Sequence, residues 1–504
     1  MEDDEPVDSD DSAASEADGS ADDTAASEQP AGPVDPGEHL LALERARDPQ
    51  GNEKTRPPDD EVVTFRSMTV VEMYAGQAID ALKDALATIE WVNLDTPIVD
   101  RIVVAQKGYT YSRGVFWLEA EGSASVGGLL GHGRTTLPAG FTRIYGEYYV
   151  LGPSLVALVL TFVLNREESK RLDAALRDDA ESRLDRLAGG GFSHKSVRDV
   201  KKERIRNVRD DIGQRCRSWI KDKMPGTLSA VQQGLGPPTC ALVGLTQGVP
   251  FQTHSEYMAL LDLVNEFLAE RFVVPDFLFL AYPIDVEPNN RMLGAFNEGE
   301  AVAQQWVSDA SATPECFHEA ISSSLIADGI YAVLLSYEPK LRDMRNELNR
   351  LDFDKATGQE VAGLRNRLLG ISRDVSTVCS DVTILVNDAF AFWSDLYPVV
   401  RLRRNATSSS AEETADAKRR LLRAVIASLE TQESNLRELI LITSASTTET
   451  RSLELQTNVL NLTTKLNGLT TWLIILTFVL VALGVAALLV QIFHVPVVHV
   501  QLPR

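Results

Sequence analysis

The feature that most constrains this chain is a charge-free run, WLIILTFVLVALGVAALLVQIF, at residues 472–493. At helical rise a segment of that length extends about 33 Å, enough to cross a hydrocarbon layer of about 30 Å. Thr477, Gly484 and Gln491 are the main interruptions of its apolar character, and Trp472 stands where an interfacial aromatic would. Only residues 494–504 follow, so the expectation is one C-terminal transmembrane helix with nearly the whole chain on one side. Lys465 and Arg451 precede the run and Arg504 follows it, while the start MEDDEPVDSD has neither a basic region nor an apolar stretch. Both signs give the expectation of a single-pass cell-membrane protein with a cytoplasmic body and the lipid bilayer as a partner.

The chain of 504 residues has a formal charge of −23, and that charge is uneven. Residues 1–38 hold fourteen Asp or Glu and no Lys or Arg, leaving 58 acidic against 49 basic residues elsewhere. Residues 1–65 are poor in large apolar groups and are expected to form a disordered acidic tail, with a short helix near 39–47. Such a tail disfavours contact with nucleic acid. Cys216, Cys240, Cys316 and Cys379 stand far apart without a CxxC pair, which suits buried thiols rather than a disulfide framework or a zinc site. No metal and no cofactor is expected.

Residues 66–188 read as a mixed α/β unit. Ala75, Ile79, Leu82, Leu86 and Ile89 recur at helical spacing. Residues 101–106, 110–119 and 141–151 read as strands, and the apolar run SLVALVLTFVL at 154–164 reads as a central strand. Asn165 stands three residues before Glu168, a capping arrangement for a helix through Leu172, Leu176 and Leu184. After a hinge at 188–196, residues 197–340 continue the mixed pattern, with strands expected at 239–245, 276–283 and 329–337 and helices at 257–272 and 315–328. From 341 to 470 the strand signals give way to long helices. The fold class is therefore α+β, with α/β as the alternative, followed by a coiled-coil-like region and the transmembrane helix.

The first of those helices after the hinge, residues 197–223, carries ten Lys or Arg and five Asp or Glu, with Ile205, Val208, Ile212, Cys216 and Trp219 at steps of three or four. One face packs and the other is charged. Its Lys201, Lys202, Arg204 and Arg206 are candidate contacts for phosphate or a lipid headgroup. Arg134 and Lys195 join them because GLLGHGRT at 128–135 and GGGFSHKS at 189–196 approach a phosphate-binding loop. Each departs from that pattern: arginine replaces lysine in the first, and His194 replaces the last glycine in the second.

Leu422, Val425, Leu429, Leu436 and Leu439 follow a heptad-like alternation, as do Leu455, Val459, Leu462, Leu466 and Leu469. The second set runs in phase into the apolar run, where Gly484 permits close approach, and it makes a homo-oligomer through the C-terminal helix an expectation beside an unidentified protein partner. The layout resembles that of CorA-type magnesium channels in architecture alone. Those channels carry two spans with a Gly-Met-Asn signature after the first; neither is found here, and no residue role is carried over. With no HExxH, GxSxG or dinucleotide fingerprint, no catalytic residue is assigned. The expected function is a membrane-anchored cytoplasmic protein that binds a ligand or a protein. An enzyme at the membrane surface and a subunit of an oligomeric channel are the alternatives.

Overall fold

The computed structural model of the chain describes residues 36–92, 97–108, 112–120, 131–187, 190–230, 236–250, 253, 255–264, 269–272, 278–281, 291–303, 317–350, 358–388, 400–402 and 414–493. Most of the expected acidic tail therefore lies outside the described residues, as does the short segment 494–504. Two N-terminal helices, α1 (Pro36–Arg45) and α2 (Asp48–Thr55), precede the first strand. The second is tied down at Asn52 and Asp48: Asn52 exchanges hydrogen bonds with the backbone of Ala180 at 2.8 and 2.9 Å, and Asp48 accepts from Ser182.

The framework is one eleven-stranded sheet. Its centre is β1 (Val63–Ala75), followed in sequence by α3 (Ala78–Ala87), β2 (Glu90–Val92), α4 (Ile98–Gly108), β3 (Ser112–Ala120), β4 (Gly131–Thr135), β5 (Phe141–Gly152) and β6 (Leu155–Leu164). Helix α5 (Arg166–Arg177), a separate hairpin of β7 (Arg183–Arg186) and β8 (Phe192–Lys195), and helix α6 (Val197–Lys223) come next. Then follow β9 (Thr239–Leu245), α7 (Glu256–Leu260), β10 (Ala269–Phe272), β11 (Leu278–Ala281), β12 (Arg291–Asn297), α8 (Glu298–Ala303), α9 (His318–Arg350), α10 (Gly358–Asp388), β13 (Val400–Leu402) and α11 (Thr414–Phe493). The strand order is β13-β10-β11-β12-β9-β1-β6-β5-β3-β4-β2. Of the neighbouring pairs, β3 with β4 and β9 with β12 run parallel and the others antiparallel, which makes the fold α+β with long C-terminal helices.

Every residue of β6 is buried because both faces of the sheet are covered, the condition that produces an unbroken apolar run in place of alternation. Val156, Leu158, Leu160 and Phe162 point into a core shared with α3 to α7, whereas Leu155, Ala157 and Val159 point into a second core shared with α9, α10 and α11. The N-terminal cap of α5 forms as the sequence implies, Asn165 Oδ1 accepting from Glu167 N at 3.1 Å and Glu168 N at 2.9 Å.

Several element assignments change. Residues 101–106 belong to α4, whose Ile98, Ile102 and Ala105 fall on one buried helical face. Residues 329–337 continue α9, because an apolar run buried on most sides looks the same in a helix as in a central strand. Leu184 belongs to β7 rather than to the helix after Asn165. Strand β1 itself is not evident in the sequence.

The transmembrane helix is corrected. Among the described residues no helix is long and apolar enough to cross a membrane. The apolar run lies within α11, and its side chains are described from Trp472 to Thr477, where they are exposed. It continues a helix whose preceding turns carry Asn461, Thr463, Thr464, Lys465, Asn467, Thr470 and Thr471. The side chains of 478–493 lie outside the described residues, and Gly484 with them. The expectations that depended on the span fall with it: the lipid bilayer as a partner, a single-pass cell-membrane location with a cytoplasmic body, and a membrane-anchored binding or scaffold role.

The first heptad set packs within the chain only in part. Leu422, Leu429 and Leu436 are buried against α9 and α10 and Val425 is partly buried beside them, whereas Leu439 is exposed and Ile426 and Ile440 complete the seam. Glu433 stands at the intervening seam position, where it takes Ser372 Oγ as a donor and pairs with Arg437 at 2.6 Å. Leu455, Val459, Leu462, Leu466 and Leu469 are exposed, so the basis for self-association through them is their pattern in the sequence rather than a contact.

Candidate functional site

Helix α6 is long, capped and charged, and it lies against the central strands. Ser196 and Asp199 form a reciprocal capping box at its start, Asp199 Oδ2 accepting from Ser196 N at 3.0 Å. Ile205, Ile212, Cys216 and Ile220 bury one face against the sheet. The adjoining stripe, Arg206, Arg209, Asp210, Gly213 and Arg217, recurs at steps of one, three or four and borders a cleft. Arg291 and Met292 at the start of β12, Thr239 and Ala241 of β9, Met68 of β1 and Asp262 after α7 complete its wall. The cavity itself measures about 40 Å³ and is open to solvent on one side.

Four guanidiniums meet two carboxylates here. Arg209 Nη2 pairs with Asp262 Oδ2 at 3.2 Å, and Lys202 Nζ reaches Asp262 Oδ1 at 3.3 Å. Arg291 pairs with Asp210. Arg217 donates only a long bond to Gln214 Oε1, 3.4 Å, and among the described residues Arg206 and Arg217 form no ion pair. Burial, and after it the neighbouring Arg291 charge, lowers the Arg217 pKa from its ordinary value. Among the residues that line the cleft, arginines thus outnumber carboxylates by two, with Lys202 at its margin.

Asp262 is held in place by its backbone. It has φ 64, and it is the non-glycine residue with positive φ among the described residues. Its N–H bonds to Ala259 O at 3.2 Å and the N–H of Leu263 to Met258 O at 2.9 Å, the paired closure of a helix end in which the residue after the cap is left-handed. Aspartate tolerates that conformation better than most residues. The carboxylate is thereby aimed at Arg209 and Lys202.

The other candidate positions are spread over the molecule. Arg134 lies on β4, next to the edge strand β2, 3.9 Å from Glu90 Oε1, and the part of its loop that is described, Gly131–Thr135, is strand. Lys195 is 2.7 Å from both Asp185 and Glu203. Lys201 is fully buried, donates to Leu176 O at 2.7 Å, and is pushed down to about 8 by burial. Arg204 donates to Asp179 O at 3.0 Å beyond the end of α5. Arg206 alone of the six lines the cleft, with Lys202 reaching it through Asp262. Arg209 and Arg217 share the helical stripe of Arg206 and were legible by spacing; Arg291, arriving on a strand about eighty residues later, carried no such signal.

A second polar cluster sits between α9 and the sheet. Thr161 Oγ1 lies 2.6 Å from His318 Nδ1, and His318 Nε2 stands 3.2 Å from Glu147 Oε2, near enough for an ion pair although the N–H does not point along the contact. Arg113 Nη2 donates to the same carboxylate at 2.6 Å, and Tyr145 at 3.3 Å. Burial pushes the Glu147 pKa up, but His318 and Arg113 outweigh it and hold the carboxyl at about 2. Hydroxyl, imidazole and carboxylate fall in the order of a nucleophilic relay. Glu147, Thr161 and His318 are at most 1% exposed, so the cluster clasps α9 to the sheet and gives a substrate no approach.

The chain matches no protein-family description, no curated protein and no solved structure.

Proposed function

We propose that the chain binds a small phosphorylated molecule in the cleft beside α6, with Arg206 and Arg217 as the principal contacts. The observation that carries this reading is the pair of guanidiniums that face the cleft without a carboxylate of their own. Holding an uncompensated charge in a partly dry site is costly, and an anion that satisfies it recovers that cost. The excess of two positive charges matches a phosphate dianion, and guanidinium geometry matches its oxygens in bidentate fashion. Both cleft carboxylates are tied to arginines, so the lining favours binding over acid–base chemistry.

Calorimetric titration of the full chain with inorganic phosphate, at constant ionic strength set with sodium chloride, tests this. Saturable binding is expected, stronger at pH 7.5 than at pH 5 because more of the phosphate is the dianion at the higher pH. The double variant Arg206→Gln/Arg217→Gln is expected to lose at least tenfold in affinity and to melt no lower than the parent, since neither arginine forms an ion pair. Binding indistinguishable from the chloride control, or unchanged in the double variant, overturns the reading.

A further inference from the structure

The chain carries its own dense source of carboxylates. Residues 2–11, EDDEPVDSDD, hold seven Asp or Glu, and no Lys or Arg occurs among residues 1–38. They precede the described residues, and the place where this segment joins the body is close to the helix that borders the cleft. Helix α2 packs on α6, with Gly51 against Val197, and Glu44 and Arg47 share a hollow with Ser196 and Arg198 at the start of α6. Arg198 in turn lies 3.5 Å from Glu256 of α7, the helix that ends beside Asp262 in the cleft wall.

Reach is ample. From Arg198 to Arg217 helix α6 rises about 29 Å, and the ten residues of α1 add at most about 15 Å. Residues 12–35 extend up to about 80 Å, so residues 2–11 can reach any part of the cleft. Charge directs them there. Beyond residue 38 the chain has 58 acidic against 49 basic residues, so its surface on balance repels an acidic segment, whereas arginines outnumber carboxylates in the cleft lining. Size agrees: about 40 Å³ has room for about three water-sized atoms, which is the size of a carboxyl group, and a carboxylate takes a guanidinium in bidentate fashion.

We propose that residues 2–11 dock on this cleft within the same chain, their carboxylates taken by Arg206 and Arg217, and that a phosphorylated ligand binds by displacing them. This is a regulation of the anion site and rests on that reading. The tether holds the segment at an effective concentration on the order of millimolar, so it sets a threshold that the ligand must exceed. A carboxylate brings one charge where a phosphate dianion brings two, which lets the ligand win above that threshold.

Inorganic phosphate is the probe, titrated by calorimetry at one ionic strength into three full-length proteins. They are the parent, a variant with the seven carboxylates of residues 2–11 replaced by the corresponding amides, and a variant with the six of residues 12–35 replaced in the same way. The first variant is expected to bind phosphate at least about fivefold more tightly than the parent, and the second to stay within about twofold of it. A synthetic peptide of residues 1–12, added to the first variant at about millimolar concentration, is expected to weaken phosphate binding again, and its amide counterpart to leave it unchanged. Equal affinity of parent and first variant, an equal gain in both variants as long-range repulsion alone would give, or a peptide that does not compete overturns the docked segment and leaves the anion site standing. Binding by none of the three proteins, or binding that survives Arg206→Gln/Arg217→Gln, overturns the anion site and this inference with it.

Discussion

Glu72 is a carboxyl group buried at the centre of the sheet, and its titration sets a measurable pH dependence of stability. It projects from β1 and is fully buried. Its oxygens accept from Leu228 N at 2.8 Å, from Ser229 N at 3.1 Å and from Met73 N at 3.1 Å, so it fastens the segment after α6 to the sheet. Burial raises its pKa and the bonds from Leu228, Met73 and Ser229 pull it back, leaving the group at about 7 against an ordinary 4.5. The folded state thus holds this proton more tightly than the unfolded state does. The resulting contribution to stability is complete below pH 4.5 and disappears as the pH rises through 7. A difference of this size corresponds to about 3 kcal/mol.

Glu72→Gln removes the titration and keeps an oxygen to accept from Leu228. Urea unfolding of both proteins, followed by tryptophan fluorescence between pH 4.5 and 8.5, isolates the effect, because other titrating groups cancel in the difference between the two curves. The parent is expected to lose about 3 kcal/mol relative to the variant over this range, most of it before pH 7. Curves that run parallel would refute the reasoning, since Glu72 would then titrate alike in both states.

Two further outcomes follow from neighbouring contacts. In Gly226→Ala the added carbon falls inside van der Waals contact with Glu72 Cγ, so urea unfolding should show a loss of about 1–3 kcal/mol. His318→Gln leaves the Glu147 carboxylate buried with less positive charge near it; the stability that Glu147 supplies above pH 4.5 and loses as the pH falls through 2 should shrink. About 3 kcal/mol should be lost at pH 7, and acid unfolding followed by circular dichroism should move to higher pH; an unmoved acid midpoint would remove His318 from the clasp.

The legible parts of the fold were those where one physical signal acted alone. The unbroken apolar run of β6, the Asn165 cap and the apolar steps of α6 each announced themselves. Strand β1 did not, because it is buried on both faces and its last residue, Ala75, falls in phase with the helical pattern of α3. In α4 the β-branched residues Ile98, Val99, Ile102, Val103 and Val104 favour a strand locally, yet Ile98, Ile102 and Ala105 complete a core stripe available only to a helix, and packing overrides propensity. The charge-free run at 472–493 drew the reading toward a membrane through composition alone. In the cleft, arginines on one helix could be grouped by spacing, whereas Arg291, Met292 and Asp262 meet them only after the sheet has formed. Residue types that recognise a ligand jointly leave no joint mark in sequence when they arrive on separate strands.

The place of β1 bears on how the chain is made. Its partners are β6, reaching Leu164, and β9, reaching Leu245, so the first of the described strands to leave the ribosome is the one whose neighbours leave much later. Roughly 180 residues separate its start from the end of β9, and at about 5–20 residues per second their synthesis takes roughly 9 to 36 s. Both hydrogen-bonding edges of this proline-free strand are bare until β6 emerges, and one stays bare until β9 does, beside other nascent chains. Its protection during translation must come from outside the native fold, and binding by a ribosome-associated chaperone should concentrate on residues 63–75 until β9 emerges.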